Sequence, residues 1–314
     1  MNSVVFFGTP NFGVPVLQGL VDEGYEVKAV VTQPDKRVGR KQVVTQSPVK
    51  QLAAKLNLPV LQPQHLARSP ECAQIIDLHA DFLVTAAYGQ FLPTKLLQSA
   101  QIAAVNVHGS LLPKYRGGAP IQYALLNGDR ETGITIMEMV KKMDAGDIYY
   151  QLKCPIENDD TAGSLFRKLA ILGREALLHE LPKIAAGTAT KTPQDPQQVV
   201  FSPNISKAQE QITLAETAEQ AVNKVRALNP DPGAYLLLGN KRLKVWAAAV
   251  APDATSLEAG CLVDNKKRFA ISMAGHTVLE LREVQPQGKK RMKISDFLNG
   301  QGSHFAAGEQ IVAD

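Results

Sequence analysis

Apolar residues fall into short runs that alternate with amphipathic stretches over the first 187 residues of the chain. The runs SVVFFG (3–8), EVKAVVTQ (26–33), DFLVTAA (81–87) and IAAVNVH (102–108) are rich in Val, Ile and Phe, as expected of strands buried on both faces. Between the runs, apolar residues recur at helical spacing. The alternation predicts an α/β fold with a doubly wound, mostly parallel sheet.

The pattern changes after residue 187. Residues 188–209 contain three prolines and show no regular period, which is typical of a linker. Five short apolar stretches follow one helical pattern, and their spacing predicts a small β-barrel: AYLLLG, RLKVWAAAV, GCLVDN, RFAISMA and TVLELREVQP. We therefore predict a catalytic domain over 1–187, a linker over 188–209 and a smaller barrel domain over 210–314.

Composition is ordinary for a globular protein, with 45% hydrophobic and 20% charged residues. No run approaches the ~20 apolar residues of a membrane span, and the N-terminus lacks the basic segment of a signal peptide. Three widely separated cysteines, Cys72, Cys154 and Cys261, suit a reducing compartment, so we expect a cytoplasmic protein. A net charge of +4 permits a nucleic-acid partner.

Candidate chemistry lies where the run at 102–108 ends. Asn106 and His108 are two residues apart, so on a strand they share one face. They offer an amide donor and an imidazole that titrates near neutral pH, and Asp144, at a predicted turn, can fold back beside them. Each residue taken singly is also compatible with a structural role, such as an Asn that bonds its own backbone.

Taken together, NVHGSLLPKYRGGAPI and the later GITIMEMVKKMDAGDI resemble the folate-dependent formyltransferases, and most closely those that act on tRNA. The resemblance implies a Rossmann-like formyltransferase domain and an OB-like C-terminal barrel that binds tRNA. It implies a catalytic trio of Asn106, His108 and Asp144, with the identity of the ultimate base left open. It also implies 10-formyltetrahydrofolate as formyl donor and initiator methionyl-tRNA as acceptor. We further expect no metal and a monomer.

The resemblance also assigns the folate pocket. Some of its apolar loop residues are equally compatible with simple packing. The predicted folate-binding residues are Phe91, Leu92, Ser110, Leu111, Leu112, Pro113, Ala145 and Gly146.

Two basic segments favour an RNA partner. Residues 36–70 contain no acidic residue, and a second cluster lies in QGKKRMKISDF (287–297). Solvated surface charge is the alternative explanation for both. The predicted tRNA-binding residues are Lys36, Arg37, Arg40, Lys41, Lys289, Lys290 and Arg291.

Three other functions remain open from sequence. A formyltransferase acting on a small amine, such as glycinamide ribonucleotide or an amino sugar, does not need a second basic domain. A nicotinamide oxidoreductase would share the sheet, but the chain lacks GxGxxG after its first strand. A non-catalytic RNA-binding module does not explain the trio. Neither HExxH nor GxSxG occurs, so neither a zinc hydrolase nor a serine nucleophile is favoured.

Overall fold

A computed structural model describes residues 1–39 and 41–313, which form two compact units. The first unit comprises residues 1–120, 131–155 and 166–203. The second comprises residues 121–130, 156–165 and those from 204 onward. The domain boundaries that we placed at residues 187 and 209 stay a prediction.

Strands in the first unit build a seven-stranded sheet and a separate hairpin. In the described residues they are β1 (Ser3–Gly8), β2 (Glu26–Val31), β3 (Lys36–Val38), β4 (Val43–Thr45), β5 (Val60–Leu61), β6 (Phe82–Ala86), β7 (Ala103–His108), β8 (Glu131–Glu138) and β9 (Ile148–Pro155).

The strand order of this sheet is β5-β2-β1-β6-β7-β8-β9. The strands from β5 to β7 are parallel, whereas β8 is antiparallel to both β7 and β9. Every residue of β1 and β6 is buried, which explains why their sequences are apolar without alternation. The parallel arrangement brings the carboxyl ends of β1, β6 and β7 to one edge, where open α/β sheets bind ligands.

Helices occupy the connections. In the described residues they are α1 (Gly13–Asp22), α2 (Pro48–Lys55), α3 (Pro70–Asp77), α4 (Thr94–Leu97), α5 (Pro120–Leu126), α6 (Ala162–Ala185), α7 (Ala218–Ala227) and α8 (Ile294–Leu298).

Two helices show how local sequence sets this arrangement. At the start of α2, the Ser47 side chain accepts a hydrogen bond from the Lys50 N–H, and Pro48 occupies the first turn. In α6, Gly173 packs against Val107 of β7, where an added Cβ would lie 2.8 Å from Val107 Cγ1. The absence of a side chain at Gly173 therefore allows the helix to lie directly on the strand that ends at His108.

The basic segment after β2 begins with a short hairpin. Strands β3 and β4 pair antiparallel, with Lys36 opposite Thr45. Strands of three residues are too short to show an alternating pattern. In addition, Val38, Val43 and Val44 are exposed, so the apolar residues do not mark a buried face.

The second unit contains a curled antiparallel sheet. Its strand path is β12-β13-β14-β11-β10-β16, with β15 paired to β14. The strands are β10 (Ala234–Leu238), β11 (Lys241–Val250), β12 (Leu262–Asp264), β13 (Phe269–Ser272), β14 (Val278–Pro286), β15 (Met292–Lys293) and β16 (Val312–Ala313).

A compact apolar core holds this sheet in its curl. Phe269 is fully buried and makes edge contacts with Phe297 and Phe305, at ring-centre distances of 5.3 and 6.1 Å. The two ends of the sheet approach each other where Cys261 forms an antiparallel bridge with Gln310. The predicted Rossmann-like sheet followed by a barrel-type domain is confirmed.

Within residues 1–39 and 41–313, no helix combines the length and the apolar character that a membrane crossing requires.

The amino end of β1 is tied to the residue before β6. The Asp81 carboxylate accepts from the Ser3 N–H at 2.7 Å and from the Ser3 hydroxyl at 3.0 Å. The Asp81 N–H in turn donates to the Ser3 hydroxyl at 3.0 Å. The backbone hydrogen bond from Ser3 contributes most to holding the pKa of Asp81 below its ordinary value.

We predict that Asp81→Asn lowers the free energy of unfolding by about 2 kcal/mol at neutral pH, because hydrogen bonds to a charged acceptor are lost. A depressed pKa in the folded state means that this contribution exists above the unfolded pKa, about 3.9 for Asp, and fades as the pH falls through the folded value. Urea titrations from pH 7 to pH 3 should therefore show the gap from wild type closing. Asp77→Asn, on an exposed residue, is the control, and a gap that stays constant with pH would contradict the assignment.

Candidate active site

The carboxyl end of β7 carries two polar side chains on one face. Asn106 lies opposite Thr85 of β6 and Met137 of β8, and His108 lies opposite Thr135 of β8. Hydrogen bonds between β7 and its neighbouring strands therefore fix the backbone positions from which these two side chains extend. Their separation of two residues directs both towards the same side of the sheet.

His108 is almost fully buried, with 5% of its surface exposed. Its Nε2 lies 3.0 Å from the carbonyl oxygen of Tyr115. Because a carbonyl oxygen only accepts, we assign a proton to Nε2. The other ring nitrogen, Nδ1, lies 3.9 Å from Oδ1 of Asp144. Proton exchange at His108 is thereby directed to Nδ1.

Asp144 lies in the turn between β8 and β9, in a left-handed backbone conformation with a φ of 49°. Its Oδ2 accepts a hydrogen bond from the Gly117 N–H at 2.9 Å. The 3.9 Å from Oδ1 to the imidazole of His108 is longer than a direct hydrogen bond. The loop after β7 therefore anchors the carboxylate beside the imidazole without a direct hydrogen bond between the two side chains.

Asn106 is oriented by a buried hydroxyl. The Thr85 Oγ1 donates to Asn106 Oδ1 at 2.7 Å, and Thr85 itself is buried on β6. With its oxygen engaged in this way, the amide keeps its nitrogen, Nδ2, for donation elsewhere. Asn106 is thus prepared to bind an oxygen that carries negative charge.

The loop after β7 brings the Gly117 N–H to the Asp144 carboxylate because the loop is glycine-rich. Gly117 has a φ of 130°, and a Cβ there would lie 2.5 Å from the Ser202 carbonyl oxygen. Neither the backbone conformation nor the space accepts another residue. Glycine therefore permits both the hydrogen bond to Asp144 and the close approach of the chain at Ser202.

Predicted folate residues after β6 take two different positions. Phe91 is 70% exposed and lines an open cleft of about 340 Å³ with His65, Arg68 and Gln90. Leu92 is buried in an apolar cluster of the first unit. Phe91 is therefore accessible to a ligand, whereas Leu92 supports the loop from beneath.

The residues after His108 form a tightly bonded turn. Ser110 is fully buried, and its hydroxyl donates to the Lys114 carbonyl at 2.7 Å. Leu112 is also buried, and its N–H donates to the Thr135 hydroxyl at 3.1 Å. The hydrogen bonds of these polar groups therefore stabilise the conformation of the turn.

Leu111 and Pro113 are both partly exposed, and the Pro113 carbonyl accepts from the Val200 N–H at 3.3 Å. Ala145 is partly exposed and Gly146 is buried, directly after Asp144 in the same turn. Apart from Phe91 and Leu92, the predicted folate residues thus occur in the loops that position His108 and Asp144.

The predicted tRNA residues of the first unit belong to the β3–β4 hairpin. Lys36 and Arg37 are exposed on β3, and Lys41 is exposed between the two strands. The Arg37 guanidinium donates to the Gln42 carbonyl at 3.4 Å. Arg40 lies outside the described residues.

In the second unit, Lys289 and Lys290 are exposed in the turn between β14 and β15. Arg291 forms an ion pair with Glu283 and lies over the Trp246 ring, 5.2 Å from its centre. The hydrogen bond from Arg291 holds the pKa of Glu283 below its ordinary value. Arg291 is therefore already engaged by other side chains of the protein, whereas the two lysines are exposed in the turn.

Among residues 1–39 and 41–313, no group of three or more His, Cys, Asp or Glu side chains is placed to hold a metal ion.

This arrangement has the parts needed for acyl transfer to an amine. An oxyanion that forms during nucleophilic attack requires an aimed donor, and Asn106 Nδ2 is one. The attacking amine must lose a proton, and His108 Nδ1 and the Asp144 carboxylate face each other across 3.9 Å. Groups suited to proton transfer and to charge stabilisation therefore lie together at one end of β7.

Comparison with known proteins identifies the family. The family model described as "Formyl transferase" matches residues 1–181, and the one described as "Formyl transferase, C-terminal domain" matches residues 204–302. The chain belongs to the formyl transferase family.

Within this family, two curated relatives are methionyl-tRNA formyltransferases from lactobacilli. The protein from Lactobacillus gasseri is 69% identical over 312 residues, and that from Lactobacillus acidophilus is 67% identical over 312 residues. Each alignment covers 99% of this chain and 99% of the relative.

A solved structure with the same fold is the N-formyltransferase from Helicobacter canadensis in complex with folinic acid and dTDP-3-aminofucose. It is 18% identical, has a TM-score of 0.70, and aligns with 91% of this chain and all of its own. At this identity the likeness concerns the fold alone.

Sequence reasoning missed Thr85, the Tyr115 carbonyl and Gly117. The first is one of several Thr residues in apolar strands, and a main-chain acceptor leaves no signature in the sequence. Gly117 lies in the RGG of the motif, where the two glycines already indicated a special backbone.

We predict that Thr85→Val lowers kcat for formyl transfer by about 10-fold, less than the ~10²–10³ that loss of an oxyanion donor costs, because the Asn106 amide loses the partner that orients it. Thermal unfolding and both KM values should stay close to wild type. Thr85→Ser, which keeps the hydroxyl, is the control and should retain activity. A Thr85→Val enzyme with wild-type kcat would show that the Asn106 amide does not need this hydrogen bond.

Proposed function

We propose that this protein transfers the formyl group of 10-formyltetrahydrofolate to the α-amino group of methionyl initiator tRNA, which gives N-formylmethionyl-tRNA for translation initiation. The observation that carries the proposal is the 65–69% identity with four relatives named methionyl-tRNA formyltransferase, over 99% of the chain. The site supports it, since an amide, an imidazole and a carboxylate converge at the end of β7.

The folate supplies an activated formyl group carried on nitrogen. We assign Asn106 to the formyl oxygen, which becomes negative when the amine attacks. Its Nδ2 is available for this bond because Thr85 engages Oδ1 at 2.7 Å. A donor placed in advance in a largely buried site stabilises the developing charge without reorganising at the moment of reaction.

His108 and Asp144 receive the proton that the amine releases. The tetrahedral intermediate then collapses with cleavage of the bond between the formyl carbon and the folate nitrogen, and this proton passes to the departing nitrogen, which gives tetrahydrofolate. Since the Tyr115 carbonyl holds the Nε2 proton, His108 acts through Nδ1. When Nδ1 is protonated, the neighbouring Asp144 carboxylate stabilises the imidazolium. The Gly117 N–H keeps the carboxylate in place during this exchange.

The residues around this site fit a flat, partly apolar donor. The partly exposed Leu111, Pro113 and Ala145 provide apolar surface in the loops that carry His108 and Asp144, and the exposed Phe91 ring adds apolar surface in the loop after β6. Ser110, Leu112 and Gly146 are buried, so we propose that they shape the pocket through the backbone, and Leu92 does so by packing.

We propose that the basic hairpin and the C-terminal basic turn contact the tRNA. Both present exposed cations, Lys36, Arg37 and Lys41 in one and Lys289 and Lys290 in the other. Phosphate contacts of this kind supply much of the affinity for nucleic acid and depend on salt. We also propose a cytoplasmic monomer, because tRNA and folate are cytoplasmic substrates and one chain carries all these residues.

The identity of the formyl acceptor distinguishes the proposed function from transfer to a small amine. We would measure formyl transfer from 10-formyltetrahydrofolate to methionyl initiator tRNA, free methionine, glycinamide ribonucleotide and a dTDP-amino sugar under the same conditions. Only the charged tRNA should give product at substrate concentrations in the micromolar range. Faster transfer to any of the small amines would overturn the proposal.

We predict that the apparent KM for tRNA rises with salt, and that each phosphate contact removed lowers the log–log slope by about 0.7 to 0.9. Two alanine variants test this, one at Lys36, Arg37 and Lys41 and one at Lys289 and Lys290. The KM for the folate should not change in either. Lys55→Ala, at the exposed end of α2, is the control, and slopes equal to wild type in both variants would remove these residues from the tRNA site.

A further inference from the structure

The segment after α6 is bonded to the walls of the candidate active site. Thr192 exchanges two backbone hydrogen bonds of 2.9 Å with Ile148 at the start of β9. Further on, the Val200 carbonyl accepts from the Arg116 N–H at 2.9 Å, and the Ser202 N–H donates to the Arg116 carbonyl at 2.8 Å. Residues 192–202 therefore run from β9 to the loop after β7 as part of the first unit.

Between these two attachments, the Gln194 side chain reaches the Asp144 turn. Its Nε2 donates to the carbonyl oxygen of Asp144 at 2.9 Å and to that of Gly146 at 2.7 Å. One amide nitrogen thus bonds both sides of Ala145. The Gln194 side chain thus links the two ends of the turn that carries the Asp144 carboxylate.

The other end of the amide is held by Arg116. The Arg116 Nε and Nη2 donate to Gln194 Oε1 at 3.0 and 2.8 Å, and only 5% of the Arg116 surface is exposed. A guanidinium only donates and a carbonyl only accepts, so the amide has one orientation that satisfies all four bonds. The chemistry of its neighbours therefore fixes which end of Gln194 faces the turn.

Asp144 needs such support because its position is demanding. A non-glycine residue with a φ of 49° occupies a less favourable backbone region, and it persists only where the surroundings hold it. Its carboxylate must meet two constraints, the Gly117 N–H at 2.9 Å and His108 Nδ1 at 3.9 Å. Gly117 fixes the side chain, whereas Gln194 fixes the backbone from which that side chain extends.

We propose that Gln194 is a positioning residue for formyl transfer: held by Arg116, it fixes the backbone of the Asp144 turn and so keeps the carboxylate beside His108. The inference deepens the proposed function and rests on the role given there to Asp144. It assigns part of the active-site scaffold to the segment between residues 181 and 204, which neither family model covers.

Gln194→Glu separates the two halves of this arrangement. A carboxylate at position 194 still accepts from Arg116, with an added charge, but it cannot donate to the carbonyls of Asp144 and Gly146 and repels them. The charged bond with Arg116 offsets part of this loss, so thermal unfolding should stay within a few degrees of wild type, while kcat falls about 10- to 100-fold, since displacement of a reacting group by ~1 Å costs about 10²-fold. A residue that only anchors Arg116 would leave kcat unchanged, and that result overturns the proposal.

A double-mutant cycle tests whether the effect passes through Asp144. In an Asp144→Asn enzyme, adding Gln194→Glu should change the single-turnover rate by less than about 2-fold, because the group that Gln194 positions is already disabled. An equal fold-loss in the wild-type and Asp144→Asn backgrounds would show that Gln194 acts independently of Asp144, and would overturn the proposal.

Gln198→Glu is the matched control, since it adds the same charge in the same segment at an exposed residue whose amide donates to Asp195. Its kcat should equal that of wild type. If Gln194→Glu does not fold by circular dichroism, Gln194→Met removes the donor without adding a charge, together with the acceptor for Arg116, and should show the same loss in kcat. A wild-type enzyme without transfer to tRNA would reject the proposed function, whereas an active wild type with an unaffected Gln194 variant would reject only this inference.

Discussion

The hydrogen bond between His108 Nε2 and the Tyr115 carbonyl is the constraint on which the site depends. It requires the chain to fold back within seven residues of the end of β7, and this fold brings the Gly117 N–H to the Asp144 carboxylate. It also leaves Nδ1 as the nitrogen that exchanges protons. One main-chain oxygen thereby determines both the tautomer of the imidazole and the path of the loop.

Support for this loop comes from several parts of the first unit. Gly173 allows α6 to pack directly on Val107, which places the strand before His108. Thr85 on the neighbouring strand orients Asn106, and Gln194 holds the turn of Asp144 from the opposite side. The polar side chains at the end of β7 and in the Asp144 turn are therefore each held by a partner elsewhere in the first unit, as preorganised donors require.

Sequence alone predicted the sheet and the trio for different reasons. Strands β1 and β6 were recognised because burial on both faces makes their sequences apolar without alternation. Asn106, His108 and Asp144 were predicted as a catalytic trio from their motif, and the structure places the Asp144 carboxylate 3.9 Å from the His108 imidazole. The hairpin at β3 and β4 was not predicted because its strands are short and its valines exposed. Gln194 was not predicted because its segment has no periodicity and its amide nitrogen donates to main-chain oxygens, which leave no signature in the sequence.

The most direct test of this account is the tautomer of His108. Nitrogen-15 NMR of the histidine-labelled protein distinguishes the two ring nitrogens, and comparison with His108→Gln assigns the signal. The account predicts that the neutral imidazole carries its proton on Nε2, hydrogen-bonded to Tyr115, with Nδ1 unprotonated. A neutral ring protonated on Nδ1 would contradict it, because the carbonyl of Tyr115 would then face a second acceptor and the loop would lose its anchor.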